Sequence, residues 1–202
     1  MFGDAAFRRL LCVFIANGMA AALPATLFLF FVADVLQLGQ ASGALLAVYF
    51  LAGALSLPLW VKLAARLGRV RTWLAAIALA ILAFASASLL GPGDLWPFAA
   101  ICVASGFSLG ADLALPAAMA ADLGERQGRA GACFGVWNFI AKLNLALAAG
   151  LVLPLLGAAG YLPGSGAGLS QLTLAYALLP LAFKALAGGL LWHWRHHLEI
   201  AS

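Results

Sequence analysis

Charge is what this sequence lacks. Only 9% of its 202 residues are Asp, Glu, Lys or Arg, against about 25% in an ordinary soluble domain. Hydrophobic residues make up 65%, and the mean hydropathy is +1.06. So few polar groups cannot cover the surface of a water-soluble domain of this length, which excludes that class. Cysteine is nearly absent as well. Cys12, Cys102 and Cys133 lie in or beside apolar runs without metal-ligand spacing, so they read as small apolar residues and not as disulfides or ligands. The chain also has no nucleophile–base set, metal motif or phosphate-binding loop. These absences speak against an enzyme and against a bound cofactor.

What the sequence has instead is apolar blocks, and a membrane helix needs about 20 apolar residues. Six blocks run approximately over 10–36, 42–63, 73–90, 96–122, 132–156 and 172–194. Between them stand the breakers "QLGQAS", "GRVRT", "GPGD", "GERQGRAG" and "GYLPGSGAG". The expected architecture is all-α, one six-helix transmembrane domain over residues 1–202. The basic start "FRRLLCVFIANGMAAALPA" imitates a signal peptide, but the apolar run continues through "TLFLFFVADVL". That is well past an h-region of about 7–15 residues, so it reads as an uncleaved first span.

Arg8 and Arg9 precede span one, Lys62, Arg66, Arg69 and Arg71 surround the second loop, Arg126 and Arg129 lie in the fourth, and Arg195 follows span six. The first, third and fifth loops have no Lys or Arg. The positive-inside rule then puts both termini on the cytoplasmic side of the cytoplasmic (inner) membrane. The same asymmetry accounts for the net charge of +4, so the basic balance calls for a lipid bilayer and not for nucleic acid.

Several polar residues stand deep inside spans: Asp112 in span four, Asn138 and Lys142 in span five, Lys184 in span six. Each charge costs about 2.5–3.5 kcal/mol at a helix centre, so these groups must face protein or water. Asp112 lies about 15 Å from the cytoplasmic end of its span, and Lys142 and Lys184 lie about 16 Å from theirs, at about 1.5 Å per residue. The three share one depth. Asn138 and Lys142 are four apart on one face of span five, which a short loop sets antiparallel to span four. An Asp112–Lys142 pair is therefore expected, either as a structural salt bridge or as part of a polar pathway; Lys184 either snorkels or pairs with Asp112 instead. Pro116 removes the hydrogen bond to the Asp112 carbonyl, so a kink at the charge is expected. Pro24 repeats the "ALPA" motif in span one, the placement a three-plus-three inverted repeat would give. Gly106 with Gly110, and Gly131 with Gly135, have the spacing of close helix contacts. Trp60, Trp73, Trp96 and Trp194 read as interfacial anchors, while Trp137 either packs the core or offers a platform to a sugar ring.

Four blocks, "LPLWVKLAARLGRVRTW", "GADLALPAAMAADLG", "FGVWNFIAKLNLALAAG" and "LGAAGYLPG", follow one another in a familiar order. They resemble the carboxyl-terminal six-helix half of the glycoside–pentoside–hexuronide:cation symporters, the melibiose-permease-like branch of the major facilitator superfamily. The resemblance covers nearly the whole chain, and "WNFxxKL" is its most specific part. It implies that Lys142 matters for transport and that Asp122 with Arg66, Arg69 and Arg71 forms cytoplasmic gating elements. Ala65 stands where the superfamily's loop has an acid. Members have roughly twelve spans in two halves, and in this family the cation site and main sugar-binding acids belong to the amino-terminal half. Coupling to Na+ or H+ is therefore left open.

The function expected is a half-size secondary transporter of a small polar, sugar-like solute, working by alternating access. Asp112, Asn138, Lys142, Asn17 and Trp137 would bind the solute. The partner would be a second copy in a parallel homodimer, or a separate amino-terminal half. The alternative is a non-transporting membrane subunit or a truncated remnant.

Overall fold

A computed structural model describes residues 4–126 and 128–201 of the protein. Among these residues seven α-helices follow in order: α1 (Ala5–Phe30), α2 (Ser42–Leu67), α3 (Arg69–Ala87), α4 (Leu95–Arg126), α5 (Ala130–Ala158), α6 (Leu169–His193) and the short α7 (Arg195–Ala201). A π-helical turn, Phe31–Val35, extends α1, and a 3-10 turn, Gly39–Ala41, leads into α2. Six of these elements are long and apolar enough to cross a membrane, and they match the six sequence blocks within a few residues. Pro24 and Pro116 lie inside uninterrupted α-helices. The departure from α geometry in span one falls instead at Phe31–Val35, beyond its proline.

The helices do not pack in chain order. The broadest contacts join α2 to α4 and α1 to α6; α3 bridges α4 and α6, and α5 leans on α1 and α4. In α2 and α5 only 22% of the most apolar window is buried, against 39–56% in the other four spans. Two flanks of the bundle are thus open along their length.

Small residues set the α2–α4 approach. A Cβ on Gly106 would lie 2.2 Å from the Tyr49 carbonyl oxygen, and one on Gly110 would lie 2.1 Å from Ser56 Oγ. At this contact the Ser56 hydroxyl and the Trp60 indole both donate to the Phe107 carbonyl, at 2.9 and 2.7 Å. Gly131 and Gly135 were expected to pack likewise, but a Cβ on either meets nothing within 4 Å. They lie on the open flank of α5, so within this chain they pack nothing.

The core splits into two apolar clusters. One gathers Phe28, Phe31, Phe98 and Tyr176, the other Trp60, Trp73, Leu115 and Trp137. Asn17, Ser108, Asn144 and Lys184 are buried on the helix segments between them, so a polar layer divides the bundle at mid-depth. At the loop end, Tyr161 donates to Asp34 Oδ2 at 2.5 Å, and the Gly164 amide donates to the same oxygen at 3.1 Å. Burial first, and then this hydrogen bond, push the Tyr161 hydroxyl above its ordinary pKa.

The glycine contacts give a direct test. Gly110→Leu forces apart backbone that has no room to give, and is expected to cost about 1–3 kcal/mol or more. Gly131→Ala and Gly135→Ala should leave stability unchanged or slightly raised, as Ala is the better helix former. Thermal unfolding in detergent reads the difference.

Candidate functional site

Within the polar layer, four helices each bring one side chain to a single cluster. Lys184 of α6 donates to Asp112 Oδ2 of α4 at 2.5 Å and to Asn17 Oδ1 of α1 at 2.7 Å. The Trp73 indole of α3 donates to the other Asp112 oxygen at 2.9 Å. Lys184 and Asn17 are each 2% exposed, and the Asp112 side chain 9%. In this dry setting the lysine and the carboxylate compensate each other's desolvation, while Trp73 and Asn17 add one hydrogen bond to each. The Ser108 hydroxyl ties α4 to the Ala76 carbonyl of α3 at 2.8 Å in the same layer.

The expected partner of Asp112 is therefore replaced. Lys142 shares its depth but is exposed on the open flank of α5, and Asn138 beside it is exposed too, its amide turned back to the Phe134 carbonyl at 3.0 Å. The physical reason is rotational. The face of α5 that meets α1 carries Trp137 and Asn144, and Asn144 reaches the Ile15 carbonyl at 3.3 Å. Asn138 and Lys142 consequently point away from the bundle. Trp137 is 7% exposed and stacks on Phe14, with ring centroids 3.5 Å apart. One of its faces is thus covered within the core, so the sugar-platform reading loses that face.

The cluster opens on a cavity of about 110 Å³ lined by residues of α1, α2, α3, α4 and α6, including Asp112 and Lys184. Five aromatic residues stand in its wall: Phe28, Tyr49, Phe50, Phe84 and Tyr176. Pro24 also lines it. Trp73 and Trp60 were expected at the interfaces, but they are 0% and 5% exposed and serve as indole donors inside the bundle. Trp96, 81% exposed, keeps a position suited to an anchor. Sequence reasoning passed over Tyr49 and Tyr176, although Tyr176 stands eight residues before Lys184 on one helix stripe.

At the basic end, Arg69 binds Asp122 and so joins the start of α3 to the end of α4. Arg71 lies 3.6 Å from Glu199 of α7, and Leu198 of α7 is buried in the Trp73 cluster. Arg66 is exposed and joins neither pair. Of the gating residues expected, Arg69 and Asp122 are brought together and Arg71 is engaged elsewhere.

Lys184→Met strands the Asp112 carboxylate and is expected to cost about 3–5 kcal/mol of stability, whereas Lys184→Met with Asp112→Leu should recover most of the loss. Lys142→Gln should leave stability nearly unchanged, because its ammonium has no bond to the bundle among the described residues. Chemical unfolding of the four proteins in one detergent checks this ordering.

No curated protein matches the chain. One family does, that of the MFS/sugar transport proteins, and the match runs over residues 1–199. Extending over nearly every residue, it takes in all six apolar helices and the whole polar layer between them: the chain belongs to the MFS/sugar transport protein family.

Proposed function

We propose that the chain is one six-helix half of a secondary transporter that carries a small polar, sugar-like solute by alternating access. The observation that carries this reading is the buried Asn17–Asp112–Lys184 cluster at the edge of an aromatic-lined cavity. A charge pair at mid-depth is weakly motivated as a stabilising device, because apolar replacements are often as stable. On the wall of a cavity it offers hydrogen bonds to a solute crossing the membrane.

The open flanks of α2 and α5 take the second half. Their exposure suits helices that pack on another six-helix body, and Asn138 and Lys142 then border the pathway between the two. The flanks could meet a second copy, as in a parallel homodimer, but Lys142 favours a different partner. Of the chain's acids, Asp112 and Asp122 bind Lys184 and Arg69, Asp34 binds Tyr161, Asp94 caps the Gly91 amide, and Glu199 lies by Arg71. Asp4 caps α1, and Glu125 stands near the end of α4. A second copy thus brings to the depth of Lys142 only an Asp112 already paired with its own Lys184, whereas a distinct half can bring an acid for Lys142.

Both termini lie on the cytoplasmic side in this reading, since the basic residues gather at that end. The Arg69–Asp122 bridge there holds one state closed. Such part-exposed pairs are each worth about 0–1 kcal/mol, so losing it shifts populations mildly.

Uptake into proteoliposomes, made with the partner half, tests the proposal. Asp112→Asn, Lys184→Met and Lys142→Gln should each slow uptake by about tenfold or more, which needs only about 1.4 kcal/mol of lost transition-state contact. Wild-type rates in all three would end it. The seam has its own check. Single cysteines at Leu55 and Leu147 should be shielded from lipid-soluble thiol reagents, while those at Leu82 and Leu186 label fully; the reverse pattern places the seam on α3 and α6.

A further inference from the structure

The cavity beside the ion pair is more selective than a generic polar pocket. Its charges are already spent on each other: both Asp112 oxygens accept a hydrogen bond, and the Lys184 ammonium has two of its three donors engaged. The Ser105 and Ser108 hydroxyls donate to the Ile101 and Ala76 carbonyls. Two other groups are different. Neither the Tyr49 nor the Tyr176 hydroxyl has a hydrogen-bond partner among the described residues, although Tyr176 is 4% exposed and both tyrosines line the cavity. No buried side-chain oxygen lacks a partner among those residues, so each of these two hydroxyls keeps accessible surface, on residues that line the cavity. A buried phenol hydroxyl ordinarily finds a partner.

Size and wall composition narrow what can supply it. At about 110 Å³, the space is on the order of the roughly 150 Å³ apolar cavity that holds a benzene molecule, and so has room for a single ring. The rings of Phe28, Phe50 and Phe84 surround the space with apolar surface. A ring with five or six hydroxyls would leave several of them without partners here. A ring with one or two finds the two tyrosines and the third Lys184 proton.

We propose that this cavity binds a neutral six-membered ring with an apolar face and one or two oxygens on its edge, received by the Tyr49 and Tyr176 hydroxyls. The ring is part of the transported solute, and in that respect the inference rests on the transporter reading. It makes the solute less hydroxylated, at the part that enters the bundle, than a free hexose. The neutral pair beside it gives no advantage to an anion or a cation.

The test is fluorine NMR of 4-fluorophenol and fluorobenzene with the full chain in nanodiscs, reading the saturable component of binding. Partition into lipid is non-saturable and the same for every variant. The expected result is that 4-fluorophenol binds about tenfold more tightly than fluorobenzene. Tyr49→Phe with Tyr176→Phe, which keeps the shape of both rings, should remove that preference. Cyclohexanol should displace 4-fluorophenol where glucose at the same concentration does not, and Cys102→Phe, which fills the space, should abolish the saturable component. Equal affinity for the two probes in the wild type, equal displacement by glucose, or binding that survives Cys102→Phe would overturn the proposal. Uptake is measured separately. Binding without uptake of any solute removes the transporter reading and leaves the site, and uptake without this binding does the opposite.

Discussion

A single contact organises the bundle, that of the Lys184 ammonium with the Asp112 carboxylate. Neither residue can face lipid at that depth without a cost of about 2.5–3.5 kcal/mol. Satisfying them together takes Asn17 from α1 and Trp73 from α3, so four of the six spans are pinned to one point. The other two spans attach to this frame by packing. In α2 it is the absence of a Cβ at Gly106 and Gly110 that admits the helix. On the other side, α5 is held by Asn144 and by the stacking of Trp137 on Phe14. The division between pinned and leaning helices is also the division between closed and open flanks, which gives the exposure of α2 and α5 a cause in the polar layer.

Much of this was legible in the sequence. The six spans follow from runs of apolar residues long enough to cross a bilayer, and their depth ordering follows from the helical rise. The identity of the aspartate's partner was not, because Lys142 and Lys184 lie equally deep and depth alone cannot separate them. Chain adjacency suggested α5 as the neighbour of the Asp112 face. In the fold, α4 turns that face to α3 and α6, while α5 approaches from another side. What chose between the two lysines was the rotation of α5 about its own axis. That rotation is set by Trp137 and Asn144, residues whose burial no single span announces.

The indoles make a related point. A tryptophan near a span end suits the membrane interface, and Trp96 fits that rule. Trp73 has the same position in its span, yet it is wholly buried and bonded to Asp112. The Arg69–Asp122 bridge sets the start of α3 level with the end of α4, so the backbone of Trp73, one turn further on, stays near the basic end of the bundle. What buries its indole is the face of α3 turned to α4, and not its distance from a span end.

The chain has 13 phenylalanines and only three tyrosines. In a sequence so rich in Phe, each added hydroxyl introduces a polar group that the interior must satisfy. Tyr161 meets that demand by closing on Asp34 at the loop end. Tyr49 and Tyr176 instead keep their hydroxyls on the cavity, where phenylalanine would pack as well and cost less. Phe31 stacks on Tyr176 at 4.1 Å and lies in the π-helical turn whose Asp34 receives Tyr161. The wider turn lets one short segment face the cavity wall through its phenylalanine and the loop between α5 and α6 through its aspartate. That segment therefore connects the ring of Tyr176 to the loop that carries Tyr161, through an apolar half of the core.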